Sequence, residues 1–279
     1  MQGEEWVDLC IKIKTMFFPP FCPFANRLLL VFALAGLAQI SFSQQADSTK
    51  RQLHISGSVS ATNNGFSLVP TFSLGKPAVA TFLNVRGRGR LSFEPEFRYS
   101  MEFKPWSFVF IWRYRLIEKN KFQLKVGTHL PALNFVTGKV IKNGVEQDAI
   151  QARRFFPVME VIPGYAFGKN FRLGLYYLYS VGLEKELTKN NHFVSLQPAF
   201  NHIPLAGKFY LRFYPQFYYL KLDQQDGFYV AGNLILARQG IPFSVSAMMN
   251  KAIDSSINAK DFDWNVSLNY AFGRKYAEQ

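Results

Sequence analysis

The sequence predicts an all-β protein, a closed antiparallel up-and-down β-barrel of about twelve strands that crosses a membrane. The first observation behind this is the alternation of side chains over 90–117. Leu91, Phe93, Pro95, Phe97, Tyr99 and Met101 alternate with Arg90, Ser92, Glu94, Glu96, Arg98 and Ser100. After a short polar break, Trp106, Phe108, Phe110, Trp112, Tyr114 and Leu116 alternate with Ser107, Val109, Ile111, Arg113, Arg115 and Ile117. Successive side chains of a strand point to opposite faces, so one face is ring-rich and apolar while the other carries charges of both signs. A hydrocarbon-facing outside with an ion-paired inside fits this pattern better than a soluble sandwich. The second observation is composition. Phe 29, Tyr 13 and Trp 4 give an aromatic share of 16%, yet mean hydropathy stays near zero, as expected where alternating strands cancel. Beyond the N-terminus no apolar run reaches the ~18 residues of a helical span.

The N-terminus reads as a secretory signal, residues 1–43. Arg27 precedes an apolar run, Leu28–Ala38, and Ser41-Phe42-Ser43 supplies small residues for cleavage after Ser43. Residues 1–15 are polar and add nothing to such a signal, so Met16 reads as the true start and 1–15 as a mis-started extension. Both cysteines, Cys10 and Cys22, lie before the cut, which leaves a mature chain with no disulfide and no cysteine metal site. The formal charge of +13 survives cleavage, because Lys12, Lys14 and Arg27 balance Glu4, Glu5 and Asp8. In an exported barrel this surplus points to anionic lipid headgroups or an anion preference, not to nucleic acid.

Along the mature chain, 44–51 reads as a polar periplasmic lead-in. Strands are expected near 52–60, 66–74, 90–101, 106–117, 121–133, 154–167, 171–183, 192–202, 208–221, 227–237, 242–251 and 262–273. Short turns are expected at the periplasmic end and longer polar loops, 134–153 among them, at the outer end. The segment 75–89 breaks this rule, being long yet periplasmic in this register; it either tucks into the lumen or hides a further strand. Proline recurs on the aromatic face at Pro70, Pro95, Pro163, Pro198 and Pro215. Proline removes a ladder donor, so either bulges or local bends curve the wall there or the strands break and the barrel is shorter or more irregular.

The last strand places Phe262, Trp264, Val266, Leu268, Tyr270 and Phe272 on one face and Asp263, Asn265, Ser267 and Asn269 on the other. A C-terminal strand of alternating aromatics resembles that of bacterial outer-membrane β-barrel proteins, and the resemblance spans 52–273. A tail, 274–279, departs from the usual final aromatic. The resemblance implies export to the outer membrane of a Gram-negative envelope, contact with outer-membrane lipid and lipopolysaccharide, and insertion by the barrel assembly machinery through the last strand.

In this register the charged lumen lining is Arg90, Glu94, Glu96, Arg98, Arg113, Arg115, Lys125, Glu160, Arg172 and Arg212, with His129, Tyr210, Tyr214 and Tyr218 beside it. Glu94 and Glu96 are expected to pair with Arg113 and Arg115 across the hairpin. Trp106, Trp112, Trp264, Tyr270 and Phe272 are expected in the aromatic girdles. His192 and Ser195 fall on opposite faces of one strand, no G-x-S-x-G element is present, and no metal-binding spacing occurs. No catalytic residue, cofactor or metal is expected. Three functions stay open: a narrow passive channel or uptake barrel for small, preferentially anionic solutes; a non-conducting structural, adhesive or secretion-accessory barrel with an ion-paired, filled lumen; and, behind these, a barrel-embedded lipid hydrolase that would use His192. Twelve strands lie between the filled eight-stranded and the open sixteen-stranded case.

Overall fold

A computed structural model of the chain describes residues 52–142 and 145–277. The signal segment 1–43 and the lead-in 44–51 lie outside the described residues. Twelve strands occur in chain order: β1 (Gln52–Thr62), β2 (Ala78–Arg86), β3 (Leu91–Ser100), β4 (Pro105–Lys119), β5 (Phe122–Lys142), β6 (Val145–Ala166), β7 (Phe171–Gly182), β8 (Asn191–Pro204), β9 (Phe209–Leu222), β10 (Gln225–Arg238), β11 (Phe243–Ser255) and β12 (Phe262–Ala277). Each pairs antiparallel with its sequence neighbours, and β12 pairs with β1 to close the barrel. Closure leaves no unpaired sheet edge around the wall, which is what a strand-built membrane span requires.

Alternation sets the two surfaces. Outward positions such as Phe217, Leu234, Val245 and Leu268 are large, apolar and exposed. Their rings form cross-strand rows, for example Phe167–Phe171–Phe200–Phe213 with successive centroids 5.4, 4.9 and 6.2 Å apart. A continuous exposed apolar band of this kind suits lipid.

At the end bearing Gln52 and Ala277, here the terminal end, all connections are tight: 87–90, 120–121, 167–170, 205–208 and 239–242. At the far end 63–77 and 183–190 are longer. Two expectations need correction here. Residues 66–74 are not a wall strand. They form a small hairpin inside loop 63–77, with one bridge between Phe66 and Ser73 and a tight turn at Val69–Phe72. The missing strand is β2, inside the anomalous 75–89, so the count stays at twelve. The segment that tucks inward is therefore 63–77. Its Phe66 and Thr71 are buried, and Leu68 and Val69 pack on apolar side chains of the inner wall.

Further differences are local. The expected outer loop 134–153 is mostly strand. β5 and β6 run 21 and 22 residues, and beyond Asn134 and Arg153 they pair only with each other, projecting as a ribbon past the neighbouring strands. The expected tail is barrel wall as far as Ala277, because Arg274–Ala277 pair with Gln52–Ile55. Of the prolines expected on the aromatic face, Pro95, Pro163, Pro198 and Pro215 do not shift register, whereas the β4–β5 and β6–β7 pairs shift at Pro131 and Pro157. The β8–β9 ladder is interrupted between Leu196↔Phe217 and Phe200↔Phe213, where Pro198 and Pro215 stand on opposing strands and neither can donate.

Candidate functional site in the barrel lumen

Three layers of side chains divide the lumen. The middle one is an ion-paired belt built on neighbouring strands β3 to β7. Arg113 on β4 stands opposite Gly127 on β5, which stands opposite Glu160 on β6. With no side chain between them, the Arg113 guanidinium crosses β5 and bonds Glu160 through Nε and, at 3.1 Å, through Nη2. A Cβ at position 127 would lie 2.9 Å from Cγ of Glu160 and 2.9 Å from the carbonyl oxygen of Trp112, so this close approach needs glycine. Nη1 of Arg113 donates to Glu94. The Glu160 carboxylate also accepts from the Tyr176 hydroxyl at 2.7 Å and from Nε2 of His129 at 3.2 Å. Its side chain is fully buried. A buried carboxylate is tolerable when its lone pairs are all engaged, and here three side chains engage them.

The other predicted lumen charges take separate partners. Glu96 pairs with Arg98 on its own strand at 2.7 Å, and the Arg98 guanidinium lies 5.3 Å from the Phe82 ring centroid. Arg115 turns to Glu118 at 2.8 Å and to the Gly89 carbonyl at 2.6 Å. The expected Glu96–Arg115 pairing is therefore not formed, because each has a nearer partner. Arg90 precedes β3, is exposed on the turn and donates to the Leu116 carbonyl at 3.3 Å; it lies at the rim, not on the lumen wall.

The terminal half of the lumen is basic and roomy. Inward positions here are small, Gly164, Gly174, Ala199 and Ala231, and they leave a cavity of about 390 Å³ into which Lys125 and Arg172 project. Arg172 bonds Gln123 at 2.7 Å. A neighbouring cavity of about 390 Å³ is lined by Tyr210, Arg212 and Tyr214, with Arg212 bonded to the Tyr210 hydroxyl at 2.8 Å. At the mouth Arg86, Arg88, Arg115 and Lys275 surround about 310 Å³. No aspartate or glutamate lines any of these three cavities.

The far half is apolar, which the alternation did not foretell. Ile111, Val158, Leu178, Phe193 and Leu220 point inward and are buried, and loop 63–77 covers them. The loop is held by polar contacts at its base and tip. Asn64 donates to Asp263 at 2.9 Å, Ser73 bonds the same carboxylate, and Asn265 donates to the Asn64 carbonyl at 2.9 Å. At the tip the Thr71 and Tyr218 hydroxyls are 3.0 Å apart, and Tyr218 donates to Asn250 at 2.7 Å. Tyr218, read as lumen-lining, is thus the seat of this loop.

Of the predicted girdle residues, Trp112, Trp264, Tyr270 and Phe272 are outward and exposed. Trp106 is not among them. It is the extra residue where the β3–β4 register shifts, between Arg98↔Ser107 and Tyr99↔Pro105, and it borders an inner cavity beside Gly65 and Ala78. A bulge of this kind puts two consecutive side chains on one side. His192 bonds the Tyr177 hydroxyl at 3.0 Å, whereas Ser195 is buried on the inner face. Among the described residues no group of three or more His, Cys, Asp or Glu could hold a metal ion.

A closed twelve-stranded wall, apolar outside and ionic within, decides the architecture. The fold is that of a closed, antiparallel, up-and-down β-barrel of twelve strands. No protein-family model matches the chain and no curated protein matches it. Among solved structures it is similar to the KdgM porin, at 8% identity and a TM-score of 0.47, covering 78% of this chain and 99% of the other. It is also similar to the COG4313 outer membrane channel from Pseudomonas putida F1, at 10% identity and 0.39, covering 85% and 98%. A third is the outer-membrane protein OmpT of Vibrio cholerae, at 9% and 0.36, covering 82% and 99%.

Proposed function

We propose that the chain is an outer-membrane barrel that passes small anionic solutes, with its lumen occluded by loop 63–77 in the state described here. Both termini then lie in the periplasm and the far end faces outward, against lipopolysaccharide, while β12 is the strand that the assembly machinery reads. One observation carries the reading. Lys125, Arg172 and Arg212 face lumen cavities that no carboxylate lines, so the terminal half attracts anions, and its low-dielectric wall focuses that field. The three carboxylates of the belt are held by Arg113 and Arg98, with His129 beside them, which leaves at most one negative charge against Lys125, Arg172 and Arg212.

A second reading, a non-conducting barrel, is favoured by the apolar side chains and the loop that fill the far half. Planar-bilayer recordings separate the two. On the channel reading, removal of 66–74 gives steady conductance, and under a KCl gradient the reversal potential lies on the anion-selective side. A silent deletion variant, folded by gel mobility, leaves the non-conducting barrel.

A further inference from the structure

The far half of the lumen holds another cavity, of about 280 Å³, unlike the basic ones. Leu68 and Val69 of loop 63–77 border it, as do Val109, Val158, Leu178 and Leu220 of the wall. No Lys, Arg, Asp or Glu lines it; its polar lining is neutral, Ser67, Ser107, Asn134, Ser180, Thr188 and Asn191. One ionisable side chain lines it too, His129, which is almost fully buried. Its Nε2 faces the Glu160 carboxylate at 3.2 Å. Glu160 can only accept there, since Arg113 and Tyr176 already donate to it. Nε2 therefore carries a proton, and Nδ1 is the ring atom left to hydrogen-bond a ligand. No group among the described residues bonds Nδ1.

We propose that this cavity binds a neutral small molecule with a hydrocarbon body and one hydroxyl group. The body lies against Leu68, Val69, Val158, Leu178 and Leu220, and the hydroxyl, able to donate or accept, hydrogen-bonds Nδ1 of His129. Size follows from proportion. An apolar cavity of ~150 Å³ takes benzene, so about 280 Å³ takes a body of about eleven heavy atoms. Neutrality follows from the lining, because an ionic group taken into a space without a counter-charge keeps its full desolvation cost. The site shares no lining residue with the basic cavities of Lys125, Arg172 and Arg212, so filling it and recharging those cavities are separable tests.

The test is a fluorine NMR titration of the full chain, folded in detergent micelles, with 4-(trifluoromethyl)benzyl alcohol. Partition into micelles is non-saturable and common to every variant, so binding is the saturable component. A saturable component is expected for the unmodified chain and is lost in Val158→Phe, or in Leu178→Trp if the first variant does not fold. His129→Leu is expected to weaken the alcohol by about fivefold, the value of one hydrogen bond, and to leave 4-(trifluoromethyl)toluene unchanged. That split is one a purely structural role for His129 does not produce. The proposal is overturned by absence of a saturable component, by its persistence in the filled variants, by equal losses of alcohol and toluene in His129→Leu, or by 4-(trifluoromethyl)benzoate binding as tightly as the alcohol.

Discussion

Replacing Glu160 with glutamine tests whether the belt is dry. The carboxylate is fully buried and accepts from Arg113, Tyr176 and His129. Glutamine keeps the shape but removes the charge, leaving the Arg113 guanidinium with Glu94 alone. Its amide also puts donors where three donors already converge. Because Glu94 still balances Arg113, the loss is that of the hydrogen bonds to the carboxylate, about 1.5–3 kcal/mol, or roughly one to two powers of ten in the folding equilibrium. The control is Glu184→Gln. Glu184 pairs with Arg154 at 2.9 Å on the far-end surface, where the arginine side chain is half exposed, and such pairs contribute about 1 kcal/mol or less. Urea unfolding in lipid vesicles, followed by gel mobility and tryptophan fluorescence, reads both. A loss below about 1 kcal/mol for Glu160→Gln, equal to the control, would refute the reasoning, because it would mean that water reaches the belt and replaces the carboxylate.

Other outcomes follow from the same geometry. Gly127→Ala pushes a methyl group against Glu160 and the Trp112 carbonyl and is expected to cost about 1–3 kcal/mol in the same unfolding assay. In a conducting form, Lys125→Glu together with Arg172→Glu moves the reversal potential toward cations, whereas Arg113→Glu mainly lowers the folded yield, since Arg113 is locked in the belt. In single-tryptophan variants, brominated lipid quenches Trp112 and Trp264 strongly and Trp106 weakly. Asp263→Asn weakens the hold on loop 63–77, seen as faster protease cleavage within the loop from the far side.

The wall was legible because a period of two is dictated by two solvents, and most strands obey it over their whole length. Loop 63–77 was misread because Phe66, Leu68, Pro70, Phe72 and Leu74 also alternate. Within a hairpin of short arms that alternation serves packing in the lumen. β2 was hidden by the opposite accident. Its inward face holds Ala78, Ala80 and Phe82, and its outward face includes Thr81, so the contrast between faces is blurred. The charged half of the belt was readable from Glu94, Arg113, His129 and Glu160. Tyr176 was not among the expected lumen residues, though in phase with Arg172 on β7 it had to point inward. Gly127 was the available signal for the close crossing of Arg113 to Glu160, since a glycine inside a strand marks a close approach. The apolar chamber had no such signal, because Val109, Val158, Leu178 and Leu220 on inward positions look like interruptions of the pattern until the loop that covers them is in place.

Loop and chamber are thermodynamically one unit. Inward leucines and phenylalanines are stable in a barrel lumen only while something apolar covers them, and here the cover is Leu68 and Val69 of the loop. When the loop leaves, that surface meets water, so opening is opposed by more than the hydrogen bonds to Asp263 and Tyr218. A ligand held between loop and wall gains contacts that exist only in the closed form, and by reciprocity it must favour closure as much as closure favours it. The hydroxylated ligand is therefore expected to slow protease cleavage within loop 63–77 in the unmodified chain and to leave it unchanged in Val158→Phe. Ligand that speeds cleavage would instead mean that it displaces the loop, and that the loop competes for the chamber.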